Sequence, residues 1–323
     1  MKTAVTGASG HAGNNLCRLL LAQGHKVRVL RHKDTKSLQN LDVDKIDGDV
    51  LNPSALEDFT RGTDVVFHLA ARISLKGSRK EMLRINVEGT RNILNACKKN
   101  KVGKLVYFST IHALQHGHPK QRLDENRPLI ESSNIKYERS KAMGEKIIRE
   151  HSGASLETVI LNPTAIIGPH DYKPSLSGTL LLQLKNRTIP ALIPGGYNWV
   201  DVRDVAHAAS CAIEKGRHGH RYILSGHWHS VKEISEMVEK HAGKRTAIRV
   251  LPYFMAWMGL PFIQMYARIK NEQPLYNSDT LKIVARSSKS IINRKAREEL
   301  DFDPRPIEET VSDTLQWFED HPL

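Results

Sequence analysis

The chain has 323 residues, enough to bury a substantial core, and it is basic, with 48 Lys and Arg against 35 Asp and Glu for a formal +13. Acidic residues interrupt the positive ones throughout, and aromatics supply only 6% of the chain. Without a basic block interleaved with stacking rings, composition argues against a nucleic-acid partner and leaves an anionic small ligand as the better use of the charge.

The first twelve residues of interest run from Lys2 to Gly13, where a short β-prone run (Thr3 to Thr6) stops at Gly7 and Gly10 and Gly13 follow at three-residue spacing. An apolar run from Leu16 to Leu21 then has helical character, so a helix is predicted over about His11 to Gln23. Strand, glycine turn and helix in this order make a diphosphate cradle. One glycine turns tightly, one lets backbone approach the ligand, one lets helix and strand pack, and the helix N-terminus supplies free N–H groups. Gly7, Gly10, His11, Ala12 and Gly13 are therefore the expected contacts of a dinucleotide.

Strand two is expected from His25 to Leu30 and ends at Arg31. An acidic residue at this place would hold a ribose 2′-hydroxyl, whereas Arg accommodates a 2′-phosphate, so Arg31 predicts NADP(H) over NAD(H). Lys33 is a weaker candidate for the same role, and Asp34 is the acidic alternative that would restore NAD. Strand three, Lys45 to Gly48, carries Asp49 and Val50 at its carboxyl end, where an adenine would lie. The nearly all-apolar strand Thr63 to Ala70 reads as buried and parallel, and Ala70 and Ala71 are small enough to let the cofactor approach. A long amphipathic helix over Lys80 to Lys99 leads to strand five, Lys104 to Phe108, which ends in Ser109 and Thr110. Repeated β-α units argue for a doubly wound parallel sheet of Rossmann type, with ligands beyond the carboxyl ends of the strands.

The loop from Ile111 to Ile135 holds His112, His116 and His118, but neither these nor the pairs His218/His220 and His227/His229 complete a zinc pattern, and no metal site is expected. A helix begins near Tyr137. Lys141 lies four residues on, so both side chains leave the same face.

Thr110, Tyr137 and Lys141 downstream of Gly7-Ala-Ser-Gly-His-Ala-Gly13 resemble the extended short-chain dehydrogenase/reductase family, which contains nucleotide-sugar epimerases and dihydroflavonol reductases. The resemblance covers essentially the whole chain. It implies Tyr137 as acid/base, Lys141 as the group that lowers its pKa and holds the nicotinamide ribose, and Thr110 as a hydrogen-bonding partner of the substrate oxygen, with Ser109 the rival for that last role. It also implies that Asn86 orders the floor of the site, and that backbone after Pro163 meets the nicotinamide in Asn162-Pro163-Thr-Ala-Ile-Ile-Gly-Pro169. Asn162 replaces the usual Arg of that turn, as it does in some sugar epimerases, and either touches substrate or shapes the turn. Helices over Lys80 to Lys99 and Tyr137 to Arg149 are those through which relatives often form homodimers.

The implied organisation is a dinucleotide-binding part over 1–165 with a returning segment near 197–225, and a smaller C-terminal substrate-binding part over 166–196 and 226–323. Ser230 to Glu233 is a capping box that opens a helix, and Ile307 to Phe318 is amphipathic. The most apolar stretch, Val250 to Tyr266, is broken by Pro252, Gly259 and Pro261 and falls short of a membrane span. Its segment Tyr253 to Met265 reads as a packed lid over an apolar substrate, with an interfacial membrane helix as the alternative. Cys17, Cys97 and Cys211 lie far apart in apolar surroundings and read as reduced residues of a cytoplasmic protein, and no signal-peptide pattern is seen.

These readings converge on an NADP(H)-dependent oxidoreductase that reduces a ketone or aldehyde, or oxidises a secondary alcohol. The alternatives are a nucleotide-sugar epimerase or dehydratase on retained NAD(P), and a non-catalytic cofactor sensor, which would have no need of Tyr137 and Lys141.

Overall fold

The computed structural model describes all residues except 33–35, 74–78, 118–120, 152, 154, 190, 244–248, 270–277 and 323. Lys33, Asp34 and His118 lie outside the described residues. Elements follow in the order β1 (Lys2–Thr6), α1 (His11–Ala22), β2 (Lys26–Arg31), β3 (Asp44–Asp47), α2 (Pro53–Thr60), β4 (Val65–His68), α3 (Arg79–Leu83), α4 (Gly89–Lys99), β5 (Lys104–Phe108) and α5 (Lys136–His151). The chain continues through β6 (Glu157–Pro163), β7 (Ala165–Ile167), α6 (Leu176–Lys185), β8 (Gly196–Asp201), α7 (Val202–Cys211), β9 (Arg221–Leu224), β10 (His227–Ser230) and α8 (Val231–Ala242). Four helices close it: α9 (Tyr253–Ile269), α10 (Ser278–Arg286), α11 (Arg294–Leu300) and α12 (Ile307–Asp320).

Seven strands form one sheet in the order β3-β2-β1-β4-β5-β6-β9, and every pairing in it is parallel. The order reverses beside β1, which opens a crevice at the carboxyl ends of β1 and β4. Side-chain alternation divides the core into two layers. Val5, Phe67, Val106, Phe108, Val159 and Leu161 face the layer that contains residues of α1, α7 and α11, while Ala4, Val66, Leu105, Tyr107 and Ile160 face the layer of α2, α4 and α5. Both faces of the central strands are covered, which is why those strands read as continuous apolar runs.

A second sheet, β10-β8-β7, packs with α6, α8 and α12 around Leu181, Trp199, Ile234 and Leu315. Because β8 pairs with β7 and β10, the return to the large sheet begins at α7 rather than at residue 197, and β9 completes it. The expected single helix over Lys80 to Lys99 is interrupted. Residues Arg84–Glu88 form a π-helical turn between α3 and α4, and this inserted turn carries Asn86.

Candidate active site

The glycine turn is dictated by contact. Gly7 has φ +72, and a Cβ there would lie 2.7 Å from the Ala70 backbone nitrogen, so the tip of β1 and the end of β4 touch main chain to main chain. A Cβ on Gly13 would lie 2.2 Å from the Gly7 carbonyl oxygen, so the first turn of α1 sits directly on β1. Gly10 is different. It is the N-cap of α1 in extended conformation, and a Cβ there would meet only the Gly7 oxygen at 3.3 Å within the protein. No side chain caps this helix and no acidic residue occupies its first turn. Free N–H groups, a partial positive charge and an open approach at Gly10 fit a diphosphate.

His11 and Ala12 form the first turn of α1, and the His11 side chain is occupied: its Nε2 lies 3.1 Å from the Gly168 oxygen and 3.0 Å from that of Pro169. Asn15 donates to the same Pro169 oxygen at 3.0 Å. The glycine turn and the turn after β7 are thus clamped together.

At the far end of the crevice, Arg31 closes β2 and makes a two-pronged ion pair with Asp47, the last residue of β3. Arg31 is half-buried and Asp47 exposed, and the pairing holds the Asp47 carboxyl below its usual range. His32 sits 3.2 Å from Asp49, whose other oxygen accepts the Leu51 N–H at 2.8 Å. Arg31, the His32 ring and two carboxylates therefore gather at the carboxyl ends of β2 and β3, near the buried Val50.

A second group of predicted site residues lies beyond β5. Tyr137, in the first turn of α5, has its side chain close to that of Thr110, while the buried Ser109 hydroxyl finds no partner. Burial pushes the Tyr137 phenol up to about 12, opposed by the nearby Thr110 side chain. Lys141 is buried one turn on. Its Nζ donates to the Phe108 carbonyl at 2.5 Å and lies 4.6 Å from the centre of the Tyr107 ring. Burial lowers its pKa to about 8, against the pull of Glu145. The structure thus places Thr110 and Tyr137 near one another and directs Lys141 at the end of β5.

Asn86 bridges to this floor from the π-helical turn. Its Oδ1 accepts the Arg72 N–H at 2.7 Å and its Nδ2 donates to the Arg72 oxygen and to Ser140 Oγ, 2.9 Å away. The Ser140 hydroxyl in turn donates to the Tyr137 carbonyl. Asn162 is buried and donates to the Thr110 oxygen and to Glu145, each at 3.0 Å, so it shapes the strand ends. Pro163 ends β6 beside Leu224 of β9.

Two features escaped the sequence reading. His68 ends β4 as a wholly buried histidine whose pKa falls to about 3, first through burial and then through the Lys141 charge. Thr6 Oγ1 accepts the Ala70 N–H at 3.2 Å and lies 2.7 Å from His68 Nδ1; Thr90 Oγ1 lies 3.3 Å from His68 Nε2 and donates to the Asn86 carbonyl at 2.8 Å. The hydroxyl roles make Nε2 the protonated nitrogen, and a polar chain runs from the glycine turn to Asn86. Its only sequence signal was one His in an apolar strand. The second feature is the buried pair of Glu145 and Arg221, the latter also donating to the carbonyls of Glu125 and Arg127. It ties α5 to β9 and to the loop after β5.

That loop and α10 enclose a small cleft, with a cavity of about 40 Å³, whose lining starts at Ile111, the residue after Thr110. Ile111, Leu114, Leu123, Ile283 and Ile291 give it an apolar wall, and His116 and Arg127 supply polar groups. His116 is held at 2.9 Å by the buried Glu138, the neighbour of Tyr137.

The model of the NAD dependent epimerase/dehydratase family matches residues 3–225. The chain belongs to this family. It is an NAD(P)-dependent enzyme of the extended short-chain dehydrogenase/reductase type. Within the family it is 31% identical to sterol demethylase protein B of Methylococcus capsulatus, over 98% of each chain. It is 34% identical to the 2-alkyl-3-oxoalkanoate reductase of Stenotrophomonas maltophilia, over 65% of this chain and 63% of the relative. The crystal structure of gox2253 is 31% identical, covers 99% of this chain and 98% of its own, and superposes with a TM-score of 0.84.

Proposed function

We propose that the chain is an NADP(H)-dependent reductase of an apolar ketone or aldehyde, working in reverse on the secondary alcohol. The observation that carries this reading is the buried Lys141, whose Nζ donates to the Phe108 carbonyl at the end of β5, one turn along α5 from Tyr137 and close to Thr110. The names of the S. maltophilia reductase and the M. capsulatus sterol demethylase protein B point to apolar substrates in those proteins, which supports the same class here.

When bound, the nicotinamide supplies or accepts a hydride. Gly7, Gly10 and Gly13 with the N-terminus of α1 would hold its diphosphate, Arg31 a 2′-phosphate, Asp49 and Val50 the adenine side, and Ala70, Ala71 and Pro163 the backbone-lined path toward the reacting end. Lys141, still mostly ammonium at pH 7, would hold the nicotinamide ribose from below. Tyr137, kept as a neutral phenol by burial, gives its proton to the substrate oxygen as that oxygen gains charge. Thr110 hydrogen-bonds the same oxygen and orients it. Asn86 and Ser140 keep the Tyr137 backbone in place.

A second reading, an epimerase or dehydratase that retains NAD, draws support from one observation: Asp47 already pairs with Arg31, so an unphosphorylated ribose would leave no stray cation. The experiment for the first reading is NADPH consumption against a panel of apolar ketones and aldehydes. Tyr137→Phe is expected to lower kcat by about 10²–10⁴ while NADPH affinity stays within about twofold. Unchanged turnover in that variant would overturn the assignment.

A further inference from the structure

Six of the ten large apolar side chains exposed among the described residues fall between Val250 and Met265, on or beside α9. They are ordered. Phe254 (64% exposed), Met258 (69%), the exposed Pro261 and Met265 (59%) recur at steps of four, three and four, and so form one stripe along the helix. Met255 and Trp257 flank it.

The stripe is not a core face turned the wrong way. Tyr253, Ala256 and Leu260 already pack α9 against Ile193, Leu281 and Val284, and the Tyr253 hydroxyl donates to the Leu281 carbonyl at 2.6 Å. The inner face is satisfied, and the apolar outer face remains. From Val250 to Ala267 the sequence holds no Asp, Glu, Lys, Arg or His, and it is bounded by Arg249 on one side and Arg268 and Lys270 on the other.

We propose that this outer face of α9 seats on an anionic lipid bilayer surface, with the helix lying in the interface plane. No helix among the described residues is long and apolar enough to cross a membrane, which leaves a flat, one-sided insertion for a helix of this composition. Basic residues at both ends of an uncharged stripe, on a chain of net charge +13, match phosphate headgroups in sign. The same charges disfavour a second copy as the occupant, because it would bring cations against cations at both ends of the stripe. Trp257 belongs with this placement, since indole rings favour the boundary of headgroup and acyl chain.

The test uses the full-length protein and vesicles of phosphatidylcholine with about 30% phosphatidylglycerol, against pure phosphatidylcholine. Sedimentation with the anionic vesicles, weakened by salt, and a blue shift of tryptophan emission that is lost in Trp257→Phe are the expected results. Phe254→Asp with Met258→Asp should weaken binding at least tenfold, while the thermal melt and NADPH affinity stay as in the parent, because both side chains are exposed. No binding to either vesicle, or binding that survives the double substitution, overturns the proposal. So does self-association that the double substitution abolishes in a protein that ignores vesicles. None of these readouts depends on turnover, so they stand apart from the reductase reading.

Discussion

In the proposed mechanism Tyr137 and Lys141 divide the acid-base work by their surroundings. Tyr137 is held as a phenol up to about pH 12, whereas Lys141, buried against Phe108 and Tyr107, loses its proton near pH 8. Burial has moved the lysine down, so its charge is present below about 8 and lost above it. The alkaline limb of kcat/KM for reduction should therefore fall with an apparent pKa near 8 and belong to Lys141. Lys141→Arg, which stays charged, should displace that limb upward even if its amplitude drops. A limb that does not move between parent and variant would assign it elsewhere. His68, buried with its pKa near 3, stays neutral throughout this range and serves as a rigid link between Thr6 and Thr90.

The glycine turn sets how closely β1, α1 and β4 approach, and its three glycines are not equivalent. Gly13→Ala would force a methyl against the Gly7 carbonyl, so α1 must lift off β1; a loss of about 1–3 kcal/mol in stability and weakened NADPH binding are expected. Gly10→Ala meets little within the protein, so its cost should appear in cofactor affinity with a nearly unchanged melt. Urea unfolding and NADPH titration of the two variants separate these effects.

That turn was legible in the sequence because its logic is local: three glycines, a strand before and an apolar helix after. The central strands were legible for the same reason. What was not legible depends on distance along the chain. Thr6 and His68 are 62 residues apart, and Asn162 reaches Thr110 across 52, so no local pattern announces either bond. The π-helical turn that carries Asn86 hides inside a sequence with ordinary helical periodicity. The pairing of β8 with β7 and β10 is likewise a tertiary outcome, and it moved the return to the large sheet to α7. Arg31 was legible as a residue at the right strand end, but its partner Asp47 lies one strand away at matching register.

Taken together, the large sheet carries the glycine turn, Arg31 and Thr110 at the carboxyl ends of its strands, with Asn86 and Tyr137 beside them, while the loop after β5 and α10 line a cleft beginning at Ile111. The proposed reductase reading requires an exchanging cofactor and an apolar substrate. The discriminating feature is the cofactor end, where Arg31 either turns from Asp47 to a 2′-phosphate or stays paired. Titration of cofactor-stripped protein with NADPH and NADH reads this choice. The reductase account predicts a preference for NADPH of about tenfold or more, worth about 1.4 kcal/mol, and a preference that shrinks in Arg31→Ala. Tight retention of NAD by the purified protein, with no preference for NADPH, would contradict it and put the epimerase or dehydratase reading first.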